Sequence, residues 1–236
     1  MIAYCIGNGP SRKDFDLKKL TKGATYGCNA LYRDFMPDHL FCIDGEMASE
    51  WEENNVQTKC KVYSTVYETN KHKGFNLIPN FEKLSCSGDQ SIKTAYHNGC
   101  RQIFLIGYDY MEYGPNMLNN MYQGSKNYGV RLTKEEFAKS IKWFIKFVEE
   151  KKDCAFVLVH DKITKQIQQN TMDNLNIISY KEFEENINKK NFNKKLLLTI
   201  DDGFTSFYKN AWPVLKERKI PFILFVNTET VGTNGY

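Results

Sequence analysis

Two short stretches of this sequence combine residue types that could do chemistry. The first is Gly7-Asn8-Gly9-Pro10-Ser11, directly after the apolar run Ile2-Ala3-Tyr4-Cys5-Ile6. Glycine admits backbone angles that other residues resist, Pro10 cannot continue a central strand, and Ser11 is a favoured N-cap. The stretch therefore predicts a strand, a tight loop and a helix over Arg12 to Leu20. Free N–H groups at such a helix start, together with the helix dipole, make a seat for phosphate. An ordinary turn is the bland alternative, because the third glycine of a dinucleotide fingerprint and the Lys-Ser/Thr of a P-loop are both missing. The second stretch is Asp201-Asp202-Gly203-Phe204, after the apolar run Leu196 to Ile200. A plain turn after a strand would use the same residues.

Positioning such groups requires a sheet, and the chain supplies one. Beyond Ile2 to Ile6, strands are expected at Thr25 to Asn29, Asp38 to Asp44, Lys61 to Thr65, Gln102 to Ile106, Ala155 to Val159 and Asn176 to Tyr180. Several are continuous apolar runs of the kind buried on both faces of a parallel sheet. Helices or polar segments fall between them. Glu46 to Asn54 is a helix or loop, and Ser85-Cys86-Ser87-Gly88-Asp89 opens a helix over Gln90 to Asn98 that Gly99 stops. Thr133-Lys134-Glu135-Glu136 is a capping box before the stripe Phe137, Ile141, Phe144, Ile145 and Val148, and further helices are expected over Lys162 to Asn170 and Lys181 to Asn188. Lys71 to Pro79 shows no period. Met111 to Arg131 is a long insertion rich in Tyr, Asn and Gly (Tyr113, Tyr122, Tyr128, Asn116, Asn119, Asn120, Asn127), the composition of a lid. This alternation predicts an α/β fold with a doubly wound, mostly parallel, Rossmann-like sheet. Ligands of such sheets bind at the carboxyl ends of strands, where Asn8, Asn29, Asp44, Ser87 and Asp109 all fall. Asp44 and Asp109 could each bind magnesium or a ribose hydroxyl, or cap the next helix.

Composition narrows the function classes. A net charge of +4 over 236 residues is mild and the lysines are scattered, which points away from nucleic acid. No apolar run is long enough to cross a bilayer and no secretory signal follows Met1. Seven cysteines, odd in number and without a C-x-x-C pair, read as core residues of a reducing cytoplasm rather than disulfides or a zinc site. His39, His72, His97 and His160 share no ligand spacing and read as surface or satisfied residues. After the polar stretch Lys189 to Lys195, a plausible linker, Leu196 to Ile200, a helix carrying Tyr208, Ala211 and Leu215, and Phe222 to Val226 predict a βαβ piece.

Two family resemblances follow from these residues. Gly7-Asn8-Gly9-Pro10-Ser11, Cys28-Asn29, Ser87-Gly88 and Gly107-Tyr108-Asp109 resemble the motifs of the family-42 sialyltransferases, and equally those of motility-accessory and 6-hydroxymethylpterin pyrophosphokinase MptE-like proteins, over roughly the first 185 residues. The resemblance implies that Asn8, Asn29, Ser87 and Gly88 contact a nucleotide. The stretch Met111 to Arg131 holds no histidine, the base those sialyltransferases use, and Leu84 stands where they carry arginine. Leu198 to Phe204, Ala211 to Lys216 and Ile220 to Val226 are similar to the opening of the NodB-homology polysaccharide deacetylases. That similarity implies Asp201 as catalytic base and Asp202 as metal ligand, with zinc or another divalent ion engaged once an H-x-x-x-H motif completes the site; the 236 residues contain none.

The expectation is a cytoplasmic protein of surface-glycan assembly with three parts. Residues 1–188 form a nucleotide-binding, glycosyltransferase-like domain, 189–195 a basic linker, and 196–236 the first portion of a deacetylase (β/α) barrel. The main domain would take a CMP- or ATP-like nucleotide or nucleotide sugar, with magnesium an option, through Gly7, Asn8, Gly9, Pro10, Ser11, Asn29, Ser87, Gly88 and Asp109. Its partners would be a nucleotide donor and a glycan acceptor, with no nucleic acid, no membrane span, and self-association left open. The alternatives are a truncated metal-dependent deacetylase acting on acetylated sugars, and a non-catalytic scaffold of glycan synthesis.

Overall fold

Ile2–Ile6 forms the central strand, β1, of an eight-stranded sheet. The other strands are β2 (Ala24–Cys28), β3 (His39–Phe41), β4 (Lys61–Ser64), β5 (Asn76–Leu77), β6 (Gln102–Ile106), β7 (Ala155–Val159) and β8 (Leu175–Ile178). The computed structural model describes residues 1–81, 86–110, 120–128, 134–162, 172–188, 198–201, 209, 212–217 and 222–225. It divides into two units, Met1–Lys190 and Asn191–Tyr236.

In the first unit every strand pairing is parallel, in the order β5-β4-β3-β2-β1-β6-β7-β8. Strands are added outward from β1 in one direction as far as β5. The chain then crosses back and continues on the other side of β1 with β6. The reversal puts the topological switch point at the carboxyl ends of β1 and β6, the place where open α/β sheets leave a crevice.

Helices cover both faces. Side chains alternate across a strand, so Ala3 and Cys5 of β1 face one layer and Tyr4 the other. The first layer buries Ile92 and Ala95 of α3 (Ser87–His97) with Ile141, Phe144 and Val148 of α4 (Lys134–Glu150). On the second, Phe183 of α5 (Tyr180–Asn188) packs edge-on or tilted against Tyr4, Phe15 and Phe104, ring centroids 6.2, 5.5 and 5.2 Å away. Two shorter helices, α1 (Gly45–Glu53) and α2 (Val66–Lys71), follow β3 and β4. In the second unit, β9 (Leu198–Asp201) and β10 (Phe222–Phe225) pair in parallel, with α6 (Trp212–Glu217) between them in sequence.

Several boundaries differ from the sequence expectation. The helix expected over Arg12 to Leu20 is replaced by two short 3-10 turns, Pro10–Arg12 and Leu17–Lys19. The Ser11 N–H and hydroxyl go to the distant Asp109 carboxylate instead of capping a helix, and Asp16 accepts from Lys18 N to start a separate turn. Such local and long-range side-chain bonds compete with the helical ladder. Strand β2 stops at Cys28 because Asn29 is left-handed, with φ of 52°. The edge strand β5 lies in the stretch whose sequence showed no period. Of the cysteines expected in the core, Cys60 is half-buried and Cys86 exposed, while all seven are free thiols. The Thr133 cap, the helix from Lys162 to Asn170, the linker 189–195 and most of the insertion 111–131 lie outside the described residues.

Phe183 is fully buried and holds the aromatic cluster on its face of the sheet. Phe183→Ala is expected to cost roughly 3–5 kcal/mol, read as a lower urea midpoint with an unchanged m-value.

Candidate functional site

At the switch point two glycine backbones are in direct contact. Gly7 N–H donates to Ile106 O (2.8 Å) and Gly9 N–H to Gly107 O (2.9 Å), so the loops leaving β1 and β6 run against each other. A Cβ on Gly7 would stand 2.4 Å from Gly107 O, and one on Gly107, whose φ is +71°, would stand 2.8 Å from Gly7 O. The glycines thus serve a close approach of backbones.

Asn8 and Asn29 come together on one side of this contact. Asn8 is buried, and its Nδ2 donates to Cys28 O (3.0 Å) and to the Tyr128 hydroxyl (3.1 Å). The Tyr128 hydroxyl is ringed by the side chains of Asn8, Asn29 and Asn120, and burial pushes its pKa well up. Asn29 O accepts from Trp51 Nε1 (3.1 Å), which pins the turn after β2. Two acceptors remain unpaired. Asn8 Oδ1 and Asn29 Oδ1 are both buried without a hydrogen-bond partner, an arrangement that costs free energy unless a ligand or water supplies a donor.

Ser87 and Gly88, expected in the stretch that opens the helix over Gln90 to Asn98, lie in the first turn of α3 itself. Cys86 N–H donates to the Asp89 carboxylate (3.1 Å), and this bond, from a residue type rarely thought of as a cap, starts the helix three residues earlier than its apolar period indicates. Ser87 Oγ accepts from Ile43 N–H (3.2 Å), tying the helix start to the end of β3. A Cβ on Gly88 would lie 3.2 Å from the Tyr108 ring, a tight contact, and the Tyr108 hydroxyl donates to Gly88 O (3.0 Å). Asp44 directly precedes α1 but its side chain caps nothing there.

Ser11 and Asp109 lie on the other side of the glycine contact. The Asp109 carboxylate accepts from Ser11 N–H (3.1 Å) and from Ser11 Oγ–H. The phosphate seat expected at Ser11 is therefore filled by the protein's own anion, and no helix stands behind it. Tyr180 and His160 complete this side. Gly107 N–H donates to the Tyr180 hydroxyl (3.1 Å), which lies 3.2 Å from Ser11 Oγ, and burial pushes the Tyr180 pKa up to about 12. His160 Nε2 lies 3.7 Å from Asp109 Oδ1.

Two residues of this region were not singled out from sequence although they anchor it. Arg12 is 3% exposed; its Nε donates to Gly7 O (2.7 Å) and its guanidinium to the Tyr122 hydroxyl (3.0 Å), which in turn donates to Asp34 (2.6 Å). Glu50 is buried and accepts from Tyr32 (2.5 Å), Arg33 (2.5 Å) and Asn127 (2.6 Å). Arg33 also donates to Ser125 Oγ and Lys126 O. Met121 N–H donates to Asn8 O (2.8 Å), so residues 120–128 of the expected lid are tied down beside Asn8. An i, i+1 Arg-Lys or a mid-helix Glu has no sequence signature that separates it from a solvated charge, which is why neither stood out.

Metal ligands form no cluster here. Among the described residues no three His, Cys, Asp or Glu side chains gather, and Asp202 lies outside them. Asp201 is the last residue of β9. An open groove of about 690 Å³ lies at the opposite, amino ends of β2 to β4, lined by His39, Lys59 and Lys61, but its carboxylate, Asp38, is spent on Thr25. No helix among the described residues is long and apolar enough to cross a membrane.

Residues 188–235 match the family model of polysaccharide deacetylases. No curated protein matches the sequence. Among solved structures the chain is similar to the sialyltransferase CstII from Campylobacter jejuni, determined in complex with the substrate analogue CMP-3FNeuAc. The likeness is weak: 17% identity over 67% of this chain and 80% of that one, with a TM-score of 0.43.

Burial raises the Glu50 carboxyl, but Tyr32, Arg33 and Asn127 outweigh it and hold the pKa below the usual carboxylate value. A depressed folded-state pKa gives stability that is present above the unfolded value, about 4.3, and lost as pH falls through the folded one. Protection of the Met121, Ser125 and Tyr128 amides, with exchange rates corrected for their intrinsic pH dependence, is therefore expected to hold from neutral pH to about 5 and to fall only below the unfolded value of about 4.3. Glu50→Gln should show the faster exchange already at neutral pH.

Proposed function

We propose that residues 1–188 are a nucleotide-binding transferase domain. It would take a nucleotide or nucleotide sugar in the crevice between β1 and β6 and pass a glycosyl or diphosphoryl group to a glycan acceptor. The observation that carries this reading is the pair of buried, unpaired oxygens Asn8 Oδ1 and Asn29 Oδ1 at the switch point. A nucleoside offers the matching donors, an exocyclic amine on cytosine or adenine and the ribose hydroxyls. Ser87 and Gly88, in the first turn of α3, would contact the nucleotide. Gly7, Gly9 and Pro10 shape the loop, and residues 120–128 cover the nucleoside end through Tyr128. The sialyltransferase-like motifs assign the same roles to Asn8, Asn29, Ser87 and Gly88, and the deacetylase match at 188–235 supports a glycan setting.

A panel of CMP, UDP and ATP tested by thermal shift and calorimetry decides the matter. CMP or ATP is expected to raise the Tm. Asn29→Gly keeps the left-handed backbone and removes the amide, so it should weaken binding by roughly fivefold with little change in the unliganded Tm. Absence of any response, or indifference to both Asn29→Gly and Asn8→Ala, would overturn the reading.

The family match favours a second reading for the second unit: residues 188–235 belong to a metal-dependent deacetylase, with Asp201 as base and Asp202 as metal ligand. One carboxylate cannot close a zinc site, so no hydrolytic step is derived through it. Zinc is expected to bind these 236 residues only weakly. Asp201→Asn combined with Asp202→Asn should leave the nucleotide-dependent rise in Tm unchanged, and a nucleotide response needing either aspartate would contradict two separate sites.

A further inference from the structure

We propose that Ser11 and Asp109 form the proton-accepting end of the crevice, Ser11 Oγ taking the proton of the acceptor hydroxyl and relaying its own to Asp109. The inference rests on the transferase reading and specifies how glycosyl transfer at that site would proceed.

The hydrogen bonds on this side have a direction. Gly107 N–H donates to the Tyr180 oxygen at 3.1 Å, which leaves the Tyr180 proton to point at Ser11 Oγ, 3.2 Å away. Ser11 Oγ in turn donates to Asp109 Oδ1, and Ser11 N–H holds the other carboxylate oxygen at 3.1 Å. The carboxylate is pressed against the loop, since a Cβ on Gly9 would stand 2.5 Å from its carbon. Behind it, His160 Nδ1 accepts from Lys162 N–H (2.9 Å), so the neutral ring carries its proton on Nε2. That N–H is buried, without a hydrogen-bond partner, and 3.7 Å from Asp109 Oδ1. It lies beside the same carboxylate without bonding it. The other histidines lie elsewhere: His39 stacks on Tyr26, His72 pairs with Glu52 and Glu68, and His97 ends α3.

A buried carboxylate repels phosphate, so this end of the crevice suits a neutral hydroxyl, while the unpaired asparagine oxygens suit the nucleoside at the other. In the transfer step the acceptor oxygen bonds to the anomeric carbon of the donor. Its proton passes to Ser11 Oγ as the serine proton moves to Asp109 Oδ1. The bond from the anomeric carbon to the phosphate oxygen breaks, and its electron pair leaves with the nucleotide. Asp109 returns the proton to water once the products depart.

The full chain is assayed for release of CMP from CMP-N-acetylneuraminate, and of UDP from UDP-N-acetylglucosamine, with lactose as acceptor. Ser11→Ala and Asp109→Asn are expected to lower kcat by about a hundredfold or more, while the Kd for CMP stays within about twofold of wild type. Ser11→Thr retains the hydroxyl and should recover most of the rate. Should Asp109→Asn fail to fold, the Ser11→Ala and Ser11→Thr pair still decides. Turnover by Ser11→Ala at the wild-type rate overturns the proposal, as does a wild type that binds CMP yet releases nucleotide from neither donor. A wild type that binds no nucleotide fails the transferase reading instead.

Discussion

Two peptide backbones touching where β1 and β6 end is the constraint from which the rest of the first unit follows. Gly7 and Gly107 stand so close that a methyl group on either would collide with the carbonyl of the other. With that contact fixed, the chain leaving each strand is forced away from its neighbour. Asn8 turns toward the end of β2, while Asp109 turns toward Ser11 and the end of β7. The switch point thereby acquires two chemically different sides. The first offers neutral amide oxygens and the second a carboxylate. The division comes from sheet topology, because only at a strand flanked by its successor on one side and a late returning strand on the other do the two loops part.

Charge inside this region is organised to hold shape. Arg12 is almost wholly buried, yet it gives its hydrogen bonds to Gly7 O and Tyr122. Glu50 is likewise consumed by Tyr32, Arg33 and Asn127. Both bind residues 120–128 to the body of the sheet, so the desolvation of each charge is offset by several directed bonds and one segment is fixed in place. Tyr122 joins the two systems, lying 5.9 Å from the Arg12 guanidinium carbon and 5.8 Å from that of Arg33.

The sequence was legible where burial alone decides the structure. The apolar runs at Ile2 to Ile6, Gln102 to Ile106 and Ala155 to Val159 could only be strands covered on both faces, and the stripe on α4 could only face a core. It was misleading where a distant polar partner intervenes. Ser11 has the composition of a helix cap but bonds Asp109, 98 positions away, and the expected helix is not formed. Asn8 and Asn29 were identified through motif and strand end, and their side chains do converge on Tyr128. What no pattern could reveal was which of their atoms are left unpaired. Short-range periodicity carries no information on Arg12, Tyr180 or His160 either, whose positions depend on strands and helices far along the chain.

The pairing of β1 with β6 also has a consequence for how the molecule comes into being. Ile2 lies beside Gln102 in the finished sheet, so roughly a hundred residues must be gathered before that pairing can form. A nascent chain emerging from the ribosome could assemble β1 to β5 first, but its open edge at β1 would expose unpaired backbone and apolar side chains until β6 arrives. The contact between Gly7 and Gly107, and with it the parting of Asn8 from Asp109, thus forms late in synthesis and all at once.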